Sequence, residues 1–293
     1  MPLHNMDYEL SEGRIRMLKV GDIVVRKSYG GDIYFRVTEI NPYGMVKLVG
    51  LSYRVLADAP WQDLQKVYYG APNPYNEMAL LQAEKNVRAI LKKRLSEETQ
   101  KVARGESILK KPGKVLHLDG DPEYLKICLK YYGELKIDVV GKTLEEREHP
   151  IQVLSLLQEH RPDILVITGH DSISKGAEDY KDINNYRNSR FFVEAVKKAR
   201  EYEPNMDQLV IFAGACQSNY EALIEAGANF ASSPERVMIH ALDPVFICEK
   251  VAYTSMATIL SINEIIENTI TGIKGIGGFQ TRGKYREGAP SIM

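Results

Sequence analysis

Cysteine is scarce in this chain. Cys128, Cys216 and Cys248 are its three thiols. An odd, sparse set is not a disulfide framework and points to a reducing compartment. No CxxC pair occurs, so a structural zinc site is not expected. An excess of charge of one sign is also missing: 38 Lys and Arg stand against 39 Asp and Glu, a net charge of −1. Without a cationic surplus no nucleic-acid partner is expected. No segment approaches the ~18 apolar residues of a membrane span, so no membrane partner is expected either. The opening MPLHNMDYELSEGR lacks the basic and then apolar regions of a secretory signal. The expected location is the cytoplasm.

What is present is an average globular composition, 44% hydrophobic and 26% charged over 293 residues. A chain of this size buries a large core without cross-links. At ~100–200 residues per domain, two domains are expected. Residues 1–68 read as a small β-barrel of the SH3 or KOW kind. The runs GDIVVRKS, DIYFRVTEI and MVKLVGLSYRVLADAP alternate and are broken by Gly, Pro and Asn, as in an antiparallel meander. Residues 69–110 read as a linker followed by a long amphipathic helix ending near Gly105.

From residue 111 to 272 the pattern becomes α/β. The apolar runs KVLHLDG, LKIDVVG, DILVITG and QLVIFAG alternate with helical segments. That alternation predicts a parallel sheet with helices on both faces. VMIHALDPVFIC is expected to add a strand and YTSMATILSINEIIENTITG a closing helix. Residues 273–293, Gly-rich and basic, are expected to be a flexible tail.

In an open parallel sheet, ligands bind beyond the carboxyl ends of the strands. That rule nominates Asp119, Gly120 and Asp121 after the first run, Gly169, His170 and Asp171 after the third, and Cys216 after the fourth. A thiol and an imidazole on neighbouring strand tips suit nucleophilic catalysis by cysteine. A strand tip is expected to expose Cys216, and a helix starting just after it favours the thiolate. Backbone N–H groups at Gly169 and Asp171 are candidates for an oxyanion hole. Cys128 and Cys248 read as packing residues and His117 as a core histidine. His149 and His160 read as surface residues, and His240 is the rival base. No metal or other cofactor is expected.

The His block DILVITGHDS followed by the Cys block LVIFAGACQS resembles the caspase-like cysteine peptidases, a group that includes clostripain, gingipain, legumain and separase. That group commonly has Gly after its catalytic His, where this chain has Asp171. Over nearly its whole length, through VGDIVVRKSYGGDIYFRV, HLDGDPEYL, PDILVITGHD and FAGACQS, the chain resembles the YabG family of sporulation proteases of endospore-forming bacteria. The resemblance implies a caspase-like sheet and a cysteine endopeptidase with His170 and Cys216 as its catalytic pair. It also implies cleavage after arginine. The implied substrates are spore coat and cortex-associated proteins, and the implied location is the mother cell or the coat itself. An arginine pocket asks for a carboxylate, which meets a guanidinium through two parallel hydrogen bonds. Asp119 and Asp121 are the first nominees and Asp243 the second; for Asp119 and Asp121 the competing role is turn and helix-cap chemistry. Arg104, Arg282 and Arg286 are candidate self-cleavage points.

Two rival functions remain open at this level. The acidic first tip resembles a receiver domain, although the third tip carries Thr168-Gly169-His170 where a receiver has its phosphorylated Asp. A glutaminase-type hydrolase would place its Cys in a Gly-x-Cys-x-Gly elbow, and Ser218 stands where the second Gly would be.

Overall fold

The computed structural model describes residues 18–67, 74–103 and 109–288. The chain divides into two compact units, residues 1–78 and 79–293. The expected lead-in, most of the 69–75 linker and Arg104 lie outside the described residues.

The first unit holds β1 (Ile23–Arg26), β2 (Phe35–Ile40), β3 (Met45–Gly50), β4 (Leu56–Pro60) and β5 (Leu64–Lys66). They form one antiparallel sheet in the order β4-β3-β2-β1-β5. Alternation sets the faces: Phe35 and Val37 of β2 are buried, as are Val46 and Leu48 of β3. The β2–β3 register shifts between Val37 and Glu39, as a bulge does. Among the described residues no pairing joins β4 to β5, so this unit is an antiparallel five-stranded sheet.

The second unit contains the helix α1 (Pro74–Ala103) from its second turn onward, followed by β6 (Leu109–Lys111) and β7 (Val115–Asp119). Next come α2 (Pro122–Glu134), β8 (Val139–Thr143), α3 (His149–His160) and β9 (Ile164–Thr168). The chain continues through α4 (Ser189–Tyr202), β10 (Val210–Ala213), α5 (Tyr220–Glu225), β11 (Phe230–Ser232) and α6 (Asp243–Tyr253). It ends in β12 (Ile259–Leu260), α7 (Ile262–Ile266), β13 (Ile276–Gly278), β14 (Thr281–Arg282) and β15 (Arg286–Gly288).

The main sheet has the order β13-β11-β10-β9-β7-β8. β8, β7, β9, β10 and β11 are parallel, and β13 closes one edge antiparallel. β9 and β10 are buried at every position, as continuous apolar runs require when both faces are covered. Leu116 and Leu118 of β7 join Val153 and Leu157 of α3 and Phe192 and Val196 of α4 in one core cluster. His117 points the other way, onto Tyr132 of α2. Helices therefore flank both faces, and the tips of β7, β9 and β10 are consecutive.

Four expectations change. α1 is part of the α/β unit: Arg94 donates to Glu249 and to the Leu135 carbonyl, and Asn86 to the Asn268 carbonyl. The expected strand VMIHALDPVFIC is a loop that runs into α6. Pro244–Cys248 of this helix are apolar at every position and all buried, so in sequence that run looks like a buried strand. Asp243-Pro244 was its start signal. The third change is the tail: residues 276–288 form β13, β14 and β15, paired with β11, β12 and β6. Its glycines serve close approach, since a Cβ at Gly278 would strike Phe230. Arg282 and Arg286 thus sit in strands, and Arg286 pairs with Asp163 at 3.1 Å. The segment expected as one closing helix breaks into β12 and α7, the latter started by a Ser261–Glu264 capping box.

Candidate active site

His170 follows β9 after one residue, Gly169. Its ring lies between two carboxylates. Nε2 is 3.2 Å from Asp121 Oδ2, and Nδ1 is 3.5 Å from Glu146 Oε1. The backbone N–H of His170 donates to the same Glu146 oxygen at 2.8 Å. Nε2 is at ion-pair distance from Asp121 without an aligned hydrogen bond among the described residues. The Tyr124 ring covers the imidazole, with centroids 5.4 Å apart. Burial draws the imidazole toward its neutral form, but Asp121 and Glu146 outweigh it and raise its pKa to about 9. Burial likewise opposes ionisation of both acids, and the His170 cation overrides it, so both lie below the usual carboxylate range.

Local structure fixes each carboxylate. Asp121 is the N-cap of α2: its Oδ1 accepts from the backbone of Glu123 at 2.7 Å and Tyr124 at 3.1 Å. Its Oδ2 is left facing His170. Glu146 opens a short 3-10 turn after β8, where sequence periodicity suggested a plain helical segment. Its carboxyl sits over the strand tips, against the backbones of Gly120 and Gly169; a Cβ at either glycine would collide with Oε1. Glu146 lies outside the sequence nominations, three residues beyond the tip of the second apolar run. The strand-end rule applied there points into the loop that carries it.

Cys216 follows β10 and is fully buried, not exposed as expected. The returning loop lies across it. Sγ accepts from the Ile239 N–H at 3.3 Å and reaches the Ile239 carbonyl at 3.6 Å, and the Gln217 N–H donates to the Val237 carbonyl. α5 begins four residues after Cys216, too far for its dipole to act strongly on the thiol.

Asp171 joins the two tips. Its carboxylate accepts from Ser189 Oγ at 2.5 Å, Ser218 Oγ at 2.9 Å, and the N–H groups of Asn188 and Ser172. Ser218 Oγ in turn accepts from the Ala215 N–H, shaping the turn around Cys216. Asn188 Nδ2 donates to the His170 carbonyl. Thr168 Oγ1 adds a bond to the Gly214 carbonyl at 2.9 Å. Full burial raises the Asp171 pKa to about 6 despite these four donors.

The other nominated acids lie elsewhere. Asp243 is fully buried. Its oxygens accept from the N–H groups of His240, Ile270 and Thr271 and from the Thr271 hydroxyl. Those bonds make it an anchor between its own helix start and the 270–271 loop. Asp119 is buried beside His117, with Nε2 to Oδ2 at 3.3 Å. His240 is buried, and its Nδ1 accepts from the Leu242 N–H. His149, expected at the surface, is buried against Phe192 with Nε2 on the Leu144 carbonyl. Gly169 lies at the β9 tip as expected. Among the described residues, one group has metal-ligating composition, His117, Asp119 and Cys128, with donor atoms within 4.8 Å of one another. Cys128 already donates to the Ala241 carbonyl, and His117 Nδ1 contacts the Tyr132 hydroxyl.

The sequence model of the YabG peptidase U57 family matches residues 19–290. The chain belongs to the YabG peptidase family. The curated sporulation-specific protease YabG of Bacillus subtilis (strain 168) is 43% identical over 283 residues, spanning 93% of this chain and 98% of that protein. No solved structure matches the chain. As a YabG-family member the chain is a protease of a sporulation family, and its substrates are proteins. That sets aside the receiver and glutaminase readings. No helix among the described residues is long and apolar enough to cross a membrane.

Proposed function

We propose that this protease is a cysteine endopeptidase that cleaves after arginine in spore coat and cortex-associated proteins, with His170 and Cys216 as its reacting pair. The observation that carries the reading is the placement of these residues on the consecutive tips of β9 and β10, tied together through Asp171 and Ser218. In the proposed reaction, His170 takes the thiol proton and Cys216 attacks the scissile carbonyl. Backbone N–H groups at Gly169, Asp171 and Cys216 hold the oxyanion. His170 then protonates the leaving amine, and water resolves the acyl-enzyme. Because the Ile239 loop covers Cys216, substrate entry requires that loop to shift.

Arginine selectivity is read here from acidic groups at the same end of the sheet. Of the nominated carboxylates, Asp121 presents an oxygen to the His170 side, and Asp119 lies deeper beside His117. The sheet of residues 23–66 is read as an SH3-like module. The mother cell and the coat are the proposed places of action.

The deciding experiment is cleavage of Arg-, Lys- and Asp-P1 peptides by wild type and Cys216→Ala protein. Arg-selective cleavage that disappears in the variant is expected. Cleavage that persists in Cys216→Ala would remove the thiol mechanism.

A further inference from the structure

An imidazole that serves a thiol can spend only one nitrogen on a partner. Both nitrogens of His170 face carboxylates, Asp121 and Glu146. To accept the Cys216 proton, His170 has to give up at least one of them. A ring that leaves both acids would leave them an unneutralised pair at the strand tips, with Glu146 seated against the backbones of Gly120 and Gly169.

We propose that Glu146 and Asp121 together form the substrate-reading cation site, that the His170 ring fills it in the resting enzyme, and that a cationic P1 side chain displaces the ring and so delivers it to Cys216. This deepens, and rests on, the proposed arginine-directed cysteine mechanism. It names Glu146, absent from the sequence nominations, as a specificity-determining residue.

Three features support the exchange. Each carboxylate is anchored independently of the ring. Asp121 is held by two helix N–H groups, and Glu146 by the His170 backbone N–H. Both therefore stay in place when the ring leaves. The Glu146 seat is built for a carboxylate, because two side-chain-free positions flank it. A planar guanidinium bridges two acids better than an imidazolium does, having five N–H donors in a fixed fork. The groups that face the ring are Asp121 and Tyr124 from the start of α2 and Glu146 from the 3-10 turn. Asp171, next in the chain, turns its carboxylate instead into the Ser189 and Ser218 hydroxyls. Once a guanidinium neutralises Asp121 and Glu146, little holds the proton on His170. It passes to solvent at neutral pH, and the neutral ring accepts the thiol proton. Selectivity and activation are then one event: a neutral P1 side chain leaves His170 trapped.

The experiment uses full-length protein and octapeptides with arginine or its neutral isostere citrulline at P1. In Cys216→Ala protein, which holds the peptide uncleaved, nuclear magnetic resonance follows the His170 titration. The expected midpoint of about 9 moves toward the ordinary ~6.5 with the arginine peptide and stays with the citrulline peptide. In active protein, Glu146→Gln and Asp121→Asn are each expected to cut the arginine-over-citrulline ratio in kcat/KM at least about tenfold. A His170 midpoint unmoved by the arginine peptide, or an unchanged ratio in both variants, overturns the proposal. Should Glu146→Gln fail to fold, Asp121→Asn and the titration decide alone. Cleavage that survives Cys216→Ala would instead sink the cysteine mechanism, a separate result from an active dyad indifferent to Glu146.

Discussion

Glu146 and Asp171 are both carboxylates next to the His170 backbone, and their surroundings treat them in opposite ways. Glu146 meets a cation: the imidazole beside it keeps its acid below the usual range against the pull of burial. Asp171 meets only neutral donors, two hydroxyls and two backbone N–H groups, and burial lifts it to about 6. Hydrogen bonds from neutral groups orient a buried carboxylate, but here they do not offset its desolvation. The contrast divides labour at one strand tip. Asp171 ties the two backbones that carry His170 and Cys216, while Glu146 and Asp121 set the charge state of the ring.

The largest test removes the cation that separates the two cases. His170→Ala is expected to lower kcat by about 10²–10⁴-fold, the usual reach of general acid–base catalysis. Steady-state cleavage of an arginine-P1 peptide reads it, and a rate within a few-fold of wild type would exclude the role. Next comes the clamp. Asp171→Ala strips acceptors from two buried hydroxyls and two N–H groups, at roughly 1–3 kcal/mol for each donor left unpaired. Urea unfolding should show a loss of several kcal/mol, and Asp171→Asn, which keeps one acceptor oxygen, should lose clearly less. Equal losses would mean that the carboxylate geometry does not matter.

A smaller effect separates a structural acid from those at the site. Asp243→Asn is expected to cost about 1–3 kcal/mol of stability while leaving the P1 preference intact. A changed arginine-to-lysine ratio in that variant would return Asp243 to the pocket.

The subtlest test is pH. The depressed values of Asp121 and Glu146 mean that their stabilisation is present above the ordinary carboxylate range and is lost as pH falls through their lowered values. The raised value of His170 gives stabilisation that is full below about 6.5 and is lost as pH rises through about 9. Asp171 is also raised, but by burial, so its contribution is full below about 3.8 and is lost as pH rises through about 6. The melting temperature of wild type relative to Asp171→Asn should therefore fall between pH 4 and 7. Parallel curves would show that Asp171 is not held as described.

Much of this was legible in the residues. The alternation of apolar runs and helices marked the parallel sheet, because strands covered on both faces must be apolar throughout. The strand-end rule placed His170 and Cys216 on neighbouring tips. Asp121 before Pro122-Glu123 was readable as a helix cap, and it is one. Other features were not legible. The first turns of α6 are a continuous apolar run, Pro244–Cys248, and so show no helical period, and the Gly-rich 273–293 segment reads as mobile until its strand partners are known.

The sequence by itself determined the sheet, its strand ends and therefore which side chains gather there, since periodicity and turn chemistry are local. Tertiary structure alone decided what each of those side chains meets. The loop that buries Cys216 comes from residues 237–239, and Glu146 reaches His170 from across β7. Charge state and access depend on neighbours distant in the chain, and one-dimensional spacing holds no record of them.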